Sequence, residues 1–380
     1  MPDKIFSEPQ NNVYPQISVM GMGGGGCNTV NRLSSSQIPG IQLIAANTDN
    51  LSLKSSAADK HLLLGKSLTR GLGSGGDPLV GQKAAEESFR ELIAAIEESD
   101  MLFLTAGMGG GTGSGAIQIA ARIAKSLGIL TIAMVTTPFS FEAGTRSKTA
   151  HEWTARLRPF VDTLITIPND RLIDLSSKDT TLHSAFALAD DLLVKGIHTL
   201  SGLLHTSGLI NLDFSHLLRL MRQDGGCYIS NGIGRGPDKV LTALRNAISH
   251  PLLEEIPLQN AKGMIIKFNG NLNLAEIEAA MHFIKGAVSP DAELITAIEE
   301  DSLLKDTAQV MVLVTGIGAI PIQNQPVMDE AVILDEPLGI FEPTPNLQPI
   351  SYEPAETIPY NLEVPAFIRR GYNQVAHAFK

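Results

Sequence analysis

The sequence predicts an α/β protein built on a doubly wound parallel sheet, and three observations support the prediction. Short apolar segments of strand length alternate with helical segments through the first half of the chain. Runs of glycine stand where two of these strands pass into helices. The chain has 380 residues, and at about 150 residues per domain this length predicts two domains.

The predicted elements follow the chain in a regular order. Strands are predicted at 16–20, 41–46, 101–106, 130–136 and 162–167, the last followed by a loop at 168–170. Helices are predicted between them at 29–35, 78–96 and 116–127. Apolar residues recur every three or four positions from 180 to 206, which predicts a long central helix ended by Gly208. A second region extends to about residue 318, with helices at 239–248 and 274–285 and strands at 263–267, 292–298 and 310–315.

The composition argues against several classes of protein. There are 29 Lys and Arg against 40 Asp and Glu, a formal net charge of −11, whereas nucleic-acid binders need clustered positive charge. Two cysteines, Cys27 and Cys227, are too few for a disulfide framework, and the nine histidines lack the spacing of zinc ligands. We therefore expect no nucleic-acid partner and a reducing, cytoplasmic compartment.

No direct insertion into a membrane is expected. The N-terminal segment is polar and lacks the apolar core of a secretory signal. The uncharged run 101–121 is long enough to span a bilayer, but six glycines fall within the nine positions 107–115. This glycine content predicts a loop there in place of a continuous helix.

The C-terminal part of the chain differs from the rest. Residues 321–361 contain eight prolines, seven acidic residues and no lysine or arginine. Such a segment cannot bury enough apolar surface to offset its ordering entropy, so we predict an extended linker within a disordered tail. Residues 362–380 regain apolar and basic character, which favours a docking peptide; a disordered end without a role is the alternative.

The first glycine-rich run, residues 21–28, follows a strand and opens a helix. Successive glycines let backbone N–H groups approach a phosphate at a helix N-terminus. Gly21, Gly23 and Gly26 also match the dinucleotide fingerprint, with Asp49 after the next strand. By itself, the run is compatible with a phosphate cradle, a dinucleotide site or a plain tight turn.

A second glycine-rich run favours a triphosphate. Residues 107–115 read GMGGGTGSG between an apolar strand and a helix, and a third glycine-rich loop lies at 71–78. A dinucleotide needs one cradle, and the chain contains no G-x-x-x-x-G-K-[ST] loop. We therefore predict a triphosphate held from several sides, with a β-carbon at Gly111 blocking its approach.

These motifs resemble those of the tubulin/FtsZ family, whose signature is GGGTGSG. The matching motifs, in the family's order, are GMGGGGCNTVNRL, ANTDNLSL, GLGSGGDPLVG, TAGMGGGTGSGA, TTPFSFEAGTR, IPNDRL, AFALADDLL, SGLINLDF, SHPLLEEI and VPAFIRR. The resemblance covers about residues 13–318 and the tail peptide. It implies a tubulin-like fold with a parallel-sheet GTP-binding domain, a long central helix and a smaller α/β C-terminal domain.

The resemblance also implies domain boundaries. A flexible N-terminus at 1–12 precedes a GTP-binding domain at 13–179 and a central helix at 180–208. The remainder divides into a C-terminal polymerisation domain with a catalytic loop at 209–320, the acidic linker at 321–361 and the docking peptide at 362–380.

The family's nucleotide contacts map onto residues of this chain. Those placed around the triphosphate are Gly24, Gly25, Gly26, Cys27, Asn28, Gly110, Gly111, Thr112 and Gly113. Those placed near the phosphates and their Mg²⁺ are Asn47, Thr48, Asp49, Gly75, Gly76 and Asp77, with no direct metal ligand assigned among them. Glu142 and Arg146 match contacts to ribose and phosphate, and Asn169, Phe186 and Asp190 match the guanine site.

The guanine assignment has physical support. Guanine presents two donors, N1–H and N2–H₂, and one carboxylate can accept both. Phe186 and Asp190 are four residues apart and share a helix face, which places a ring beside a carboxylate. Without the resemblance, a solvated Asp beside a core Phe is the simpler interpretation. Because Asp191 is adjacent, the choice of Asp190 as the partner of Phe186 depends on the resemblance.

The resemblance implies that hydrolysis needs two subunits. A loop of the form N-x-D-F-x-D from one subunit reaches the nucleotide of the next, and its residues here are Asn211, Asp213 and His216. The family's paired carboxylates position a water and a cation, but a neutral imidazole has no negative charge to hold either. We therefore expect a catalytic role for these three residues with reduced turnover; a neutral surface histidine is the alternative for His216.

The implied function is GTP binding, GTP hydrolysis and head-to-tail assembly into the cytokinetic ring, in the cytoplasm at the midcell division site. Membrane-anchoring division adaptors are the implied partners of a docking set comprising Val364, Pro365, Phe367, Ile368, Arg369 and Arg370. The alternative is a hydrolysis-weak paralogue that binds GTP and co-assembles with a second subunit of the family. A dinucleotide-dependent oxidoreductase is a third hypothesis, supported only by the first glycine-rich run.

Overall fold

The computed structural model describes residues 15–36, 38, 40–142, 144–174, 181–205, 214–222, 226–249 and 258–317. The predicted N-terminal segment, linker and docking peptide lie outside the described residues, as do Gly208, Asn211 and Asp213. Within the described ranges, no helix combines the length and apolar composition that crossing a membrane requires.

The first sheet has six parallel strands in the order β3-β2-β1-β4-β5-β6. The strands are β1 (Ile17–Met22), β2 (Ile41–Asn47), β3 (Lys60–Leu63), β4 (Met101–Gly107), β5 (Leu130–Thr137) and β6 (Thr163–Pro168). The chain proceeds outward from β1 to β3 and then returns to the middle at β4. The strand order therefore reverses between β1 and β4, as in a doubly wound fold.

Helices connect these strands and cover both faces of the sheet. They are α1 (Gly23–Ser35), α2 (Asn50–Lys54), α3 (Lys66–Thr69), α4 (Pro78–Glu87), α5 (Phe89–Ile96), α6 (Gly111–Ser126), α7 (Gly144–Leu157), α8 (Asn169–Asp174) and α9 (Leu182–His205). A short 3-10 turn follows α7 at Arg158–Phe160.

Side-chain alternation along β1 explains why both faces are covered. Ile17 and Val19 pack into a cluster with α1, α9 and α10, which spans Phe214–Met221. Met20 and Met22 pack into a second cluster with α4, α5, α6 and α7. Successive side chains of a strand point to opposite faces, so a strand that is apolar throughout requires helices on each side.

The smaller second sheet has four strands in the order β7-β10-β8-β9. They are β7 (Gly226–Arg235), β8 (Gly263–Gly270), β9 (Glu293–Glu300) and β10 (Thr307–Ile317), accompanied by α11 (Lys239–Ile248), α12 (Leu274–Ala287) and a 3-10 turn at Leu258–Asn260. β10 is antiparallel to both neighbours, and β8 is parallel to β9. Helix α9 joins the two regions, since its buried Leu193 and Ile197 share a core cluster with Leu313 of β10.

The structure corrects the single helix predicted at 78–96. Ser88 has φ −96° and ψ 26° and separates α4 from α5. Its Oγ accepts a hydrogen bond from Gly65 N at 3.0 Å. The helical apolar pattern continues through this break because α4 and α5 both bury apolar residues in the same core cluster.

The predicted loop across the second glycine-rich run is also wrong for most of its length. Helix α6 begins at Gly111 and continues through Gly113 and Gly115. Similarly, α1 begins at Gly23 and not near residue 29, and the loop predicted at 168–170 is where α8 begins. Glycine costs about 1 kcal/mol within a helix, but tertiary packing of these first turns outweighs that preference.

Two strands, β3 and β7, were not predicted from the sequence. β7 contains Gly232 and Gly234, which normally weaken a strand. A β-carbon at Gly232 would lie 2.0 Å from Ala243 O, and one at Gly234 would lie 1.9 Å from Lys239 O. The glycines are needed because α11 packs with its backbone directly against this strand.

Candidate nucleotide-binding site

The two glycine-rich runs meet at the point where the strand order reverses. The first follows β1 and the second follows β4, and these strands are neighbours in the parallel sheet. Their carboxyl ends therefore open at the same edge, where α/β sheets bind ligands. Helices α1 and α6 begin in these runs, and their N-termini provide unpaired backbone N–H groups for an anion.

Only some of the predicted glycines face open space. A β-carbon built at Gly24 or Gly110 would have no neighbour within 4 Å. One at Gly25 would meet Gly107 N at 3.0 Å. Gly24, Gly25 and Asn28 are exposed and Gly110 is half-buried. The accessible floor of the cradle is therefore formed by Gly24, in the first turn of α1, and Gly110, which directly precedes α6.

The remaining glycines of the runs serve packing between segments. A β-carbon at Gly26 would lie 2.3 Å from Thr105 O, and one at Gly113 would lie 2.7 Å from Gly107 O. A β-carbon at Gly111 would meet Ser74 Oγ at 2.2 Å and Asp77 N at 2.8 Å. A β-carbon at Gly111 would therefore first displace the third glycine-rich loop, which corrects the prediction that it blocks the triphosphate directly.

A chain of hydroxyl groups joins three loops around Thr112. Thr48 Oγ1 lies 2.6 Å from Thr112 Oγ1, and Ser74 Oγ lies 3.1 Å from the same oxygen. The two hydrogen bonds among Thr48, Ser74 and Thr112 use two of the three hydroxyl protons, so one proton remains for another acceptor. The loop after β2, the third glycine-rich loop and the tubulin-type signature are thus coupled through one residue.

The two carboxylates predicted near the metal are engaged in helix capping. Asp49 accepts from Leu51 N at 2.9 Å and from Ser52 Oγ at 2.7 Å, and these bonds lower the pKa of its carboxyl. Asp77 caps α4 by accepting from Leu79 N at 2.8 Å. The described residues contain no group of three or more His, Cys, Asp or Glu able to hold a metal ion.

Gly75, Gly76 and Asn47 complete the predicted phosphate region. Gly75 and Gly76 have φ of 62° and 81°, and β-carbons there would meet nothing within 4 Å. Asn47 is buried, with its Oδ1 accepting from Asp49 N at 3.3 Å. Cys27 is also buried, and burial raises the pKa of its thiol to about 11. Cys27 therefore has no exposed side chain to offer a phosphate.

The loop after β5 holds the predicted ribose residues together. Glu142 accepts from Phe139 N at 2.9 Å and forms an ion pair with Arg146 in the first turn of α7. Gly109 packs against the backbone of Arg146, since a β-carbon there would lie 2.7 Å from Arg146 O. The second glycine-rich run and the start of α7 are therefore in direct contact.

The predicted base residues come from α8 and α9. Asn169 is 4% exposed, and its Oδ1 is buried without a hydrogen-bond partner among the described residues. Such a group normally has a partner, so a ligand donor is a natural complement. Phe186 is exposed, and its ring lies edge-on against buried Phe139 at 5.2 Å between centroids. Phe139 thus supports the ring on which a base would stack, and Phe141 stacks on Phe139 in turn.

Asp190 is partly buried and bonded to α1. Thr29 Oγ1 donates to its Oδ1 at 3.3 Å, and Arg32 Nε donates to its Oδ2 at 3.1 Å. Burial raises the pKa of the Asp190 carboxyl, while the Arg32 guanidinium and the Thr29 hydroxyl act against the rise.

Sequence reasoning missed Thr29, Arg32, Phe139 and Ser74. A hint for Arg32 was available, because it lies four residues after Asn28 and shares its helix face.

His216 is exposed on the first turn of α10, while the adjacent Leu217 is buried. Asn211 and Asp213 precede α10 outside the described residues, so their predicted roles stay predictions.

The doubly wound sheet, with two glycine-rich runs at its switch point, is that of a tubulin-type GTPase. Residues 16–177 match the family model "Tubulin/FtsZ family, GTPase domain", and residues 225–318 match "FtsZ family, C-terminal domain". The chain belongs to the FtsZ family.

Relatives agree with this assignment. The chain is 42% identical over 315 residues to cell division protein FtsZ of Rickettsia felis, covering 82% of this chain and 70% of the relative. It is 36% identical over 394 residues to cell division protein FtsZ of Azotobacter vinelandii, covering 96% and 98%. The solved structure of the empty FtsZ dimer of M. jannaschii superimposes with a TM-score of 0.73 at 39% identity, over 80% of this chain and 88% of that one.

Proposed function

We propose that this GTPase binds GTP between successive subunits and assembles head to tail into filaments of the division machinery. The observation that supports this most directly is the open space at Gly24 and Gly110, where two helix N-termini meet. In this proposal residues 13–179 form the nucleotide domain, 180–208 the central helix and 209–320 the polymerisation domain.

The residues of the site divide among the parts of GTP. The first turns of α1 and α6 hold the triphosphate, Glu142 and Arg146 hold ribose and phosphate, and Asn169, Phe186 and Asp190 recognise guanine. Mg²⁺ would neutralise phosphate charge during hydrolysis. It usually keeps several waters and binds mainly to nucleotide phosphates, which fits a site whose nearby carboxylates, Asp49 and Asp77, cap helices.

The surface of the chain supports head-to-tail contacts. Leu51 and Leu72 flank the site and are 79% and 85% exposed. Leu274 and Leu303, which follow β8 and β9 in the second sheet, are 81% and 89% exposed. Exposed leucines in both regions of the chain fit a heterologous interface that repeats without closing, which produces filaments. The loop 211–216 of one subunit then completes the hydrolytic site of the next.

Asp190→Ala should weaken GTP binding by about 1.5–3 kcal/mol, because the two guanine donors lose their charged acceptor. This corresponds to a loss of about 10- to 150-fold in affinity. Protection of the purified protein from thermal unfolding by GTP, GDP, ATP and NAD gives the measurement. GTP should protect the wild type best, and the preference for guanine should be lost in the variant.

Asp191→Ala is the matched control, because Asp191 is adjacent and about half exposed. It should keep the wild-type preference. Equal GTP affinity in Asp190→Ala and wild type would remove Asp190 from the site, and protection by NAD alone would favour an oxidoreductase.

We propose that residues 362–380 dock to membrane-anchoring adaptors, which places the filaments in the cytoplasm at the midcell membrane. Deleting these residues should leave GTP binding and polymerisation intact while abolishing recruitment to the division site. Val364, Phe367 and Ile368 offer apolar contacts, and Arg369 and Arg370 offer charge steering. Fluorescence microscopy of tagged protein in cells without full-length copies measures recruitment. A scrambled 362–380 sequence is the control, and recruitment of the truncated protein would contradict docking.

A further inference from the structure

Both carboxylate oxygens of Asp190 are bonded to side chains of α1. Oδ1 accepts from the Thr29 hydroxyl at 3.3 Å and Oδ2 accepts from Arg32 Nε at 3.1 Å. The Asp190 side chain is 16% exposed and that of Arg32 is 36% exposed. The carboxylate is thus largely but not fully buried, and it lies one turn of α9 after the exposed Phe186.

These two bonds limit how the carboxylate can turn. An ionised carboxylate offers about four acceptor positions, and α1 occupies two of them. The two that remain equal the number needed by guanine N1–H and N2–H₂. Rotation of the carboxylate would cost one or both bonds to α1, so the unused acceptor positions have fixed directions.

Helix α1 also connects this acceptor to the phosphate cradle. The helix begins at Gly23, and its exposed Gly24 and Gly25 lie in the first glycine-rich run. Thr29 and Arg32 lie on the next two turns of the same 13-residue helix. A rigid helix therefore sets the distance between the phosphate end and the base end of the site.

We propose that Arg32 is a positioning residue for guanine recognition, which together with Thr29 holds Asp190 ionised and oriented to accept both donors of the base. This rests on the proposed role of Asp190 in binding guanine. Arg32 acts through Asp190 and is assigned no contact with the nucleotide.

The charges around Asp190 support this role. Burial raises the pKa of the Asp190 carboxyl, Arg32 from α1 opposes the rise, and Asp191 on α9 adds to it. On α8, Asp170 is engaged with Ser140 N at 2.8 Å. Loss of Arg32 removes the main opposing charge, and a protonated carboxyl cannot accept both guanine donors. The variant should therefore bind GTP progressively worse as the pH falls.

The test is equilibrium binding of GTP and ITP, which lacks the 2-amino donor, at about pH 6, 7 and 8. Wild type should prefer GTP. Arg32→Met should reduce the GTP-over-ITP ratio about 5- to 10-fold and make GTP affinity decline toward low pH. Thr29→Val should reduce the ratio in the same direction. Arg32→Lys, which retains the charge, should restore the pH profile of the wild type.

Asp191→Asn is the matched control, because it removes the other partner of Arg32, at 3.5 Å from Nη1. It should keep the wild-type ratio and retain GTP affinity better at low pH. If wild type prefers GTP and Arg32→Met matches it in ratio and pH profile, the inference about Arg32 is overturned while the guanine site stands. If wild type and Asp190→Ala show the same GTP-over-ITP ratio, the guanine role of Asp190 and this inference are both overturned.

Discussion

Replacing Gly110 by alanine should lower GTP affinity at least about 100-fold, or about 2.7 kcal/mol, while the protein remains folded. Gly110 precedes α6 with φ −91° and ψ 176°, a conformation that alanine adopts freely. Its β-carbon would meet no protein atom within 4 Å. The added methyl group would therefore project into the space where we propose that the phosphate approaches the backbone N–H groups of α6.

The structure provides two comparisons for this variant. Gly286→Ala, in α12, also places a β-carbon in open space and should leave GTP binding unchanged. Gly111→Ala should lower the free energy of unfolding by about 1–3 kcal/mol, because its β-carbon collides with Ser74 and Asp77. Isothermal titration with GTP and thermal unfolding separate the two effects. GTP affinity of Gly110→Ala equal to that of wild type would show that phosphate does not approach this loop.

Asp213→Ala should remove most GTP turnover while leaving GTP binding unchanged, because in our proposal this carboxylate acts on the nucleotide of the neighbouring subunit. For the same reason, wild-type turnover should rise with protein concentration above a threshold. His216→Asp should raise turnover about 10-fold or more, equivalent to about 1.4 kcal/mol of barrier. The added carboxylate would restore the pair that positions the water and the cation.

Phosphate release and light scattering, measured together at several protein concentrations, test these expectations. His282→Asp is a control, since it adds the same charge on α12, outside the catalytic loop. Wild-type turnover as fast as that of His216→Asp would mean that imidazole replaces the carboxylate fully. Filaments without any phosphate release would favour the hydrolysis-weak paralogue.

Local sequence patterns were sufficient to predict the fold class. Apolar strand-length segments and helical periodicity predicted the parallel sheet, and the order β3-β2-β1-β4-β5-β6 confirms a doubly wound fold. The patterns failed where tertiary contacts outweigh local preference. Helices α1 and α6 begin within glycine runs, and β7 contains glycines because α11 lies against it.

Sequence motifs alone also identified the two glycine-rich loops and the family, because signatures such as GGGTGSG are contiguous in the chain. Contiguity does not reveal which glycine faces a ligand and which faces another segment. Gly110 and Gly111 are neighbours in the same motif, yet one borders open space and the other packs on Ser74. That distinction depends on where residues 74–77 lie.

The sequence by itself therefore determined the fold class, the family and the two glycine-rich runs that follow β1 and β4. Only the tertiary structure decided that Arg32 bonds Asp190, which is 158 positions away, and that Thr48, Ser74 and Thr112 share hydrogen bonds. The physical reason is that hydrogen bonds and packing act over a few ångströms. Residues far apart in sequence come within that range only when the sheet and its helices have assembled.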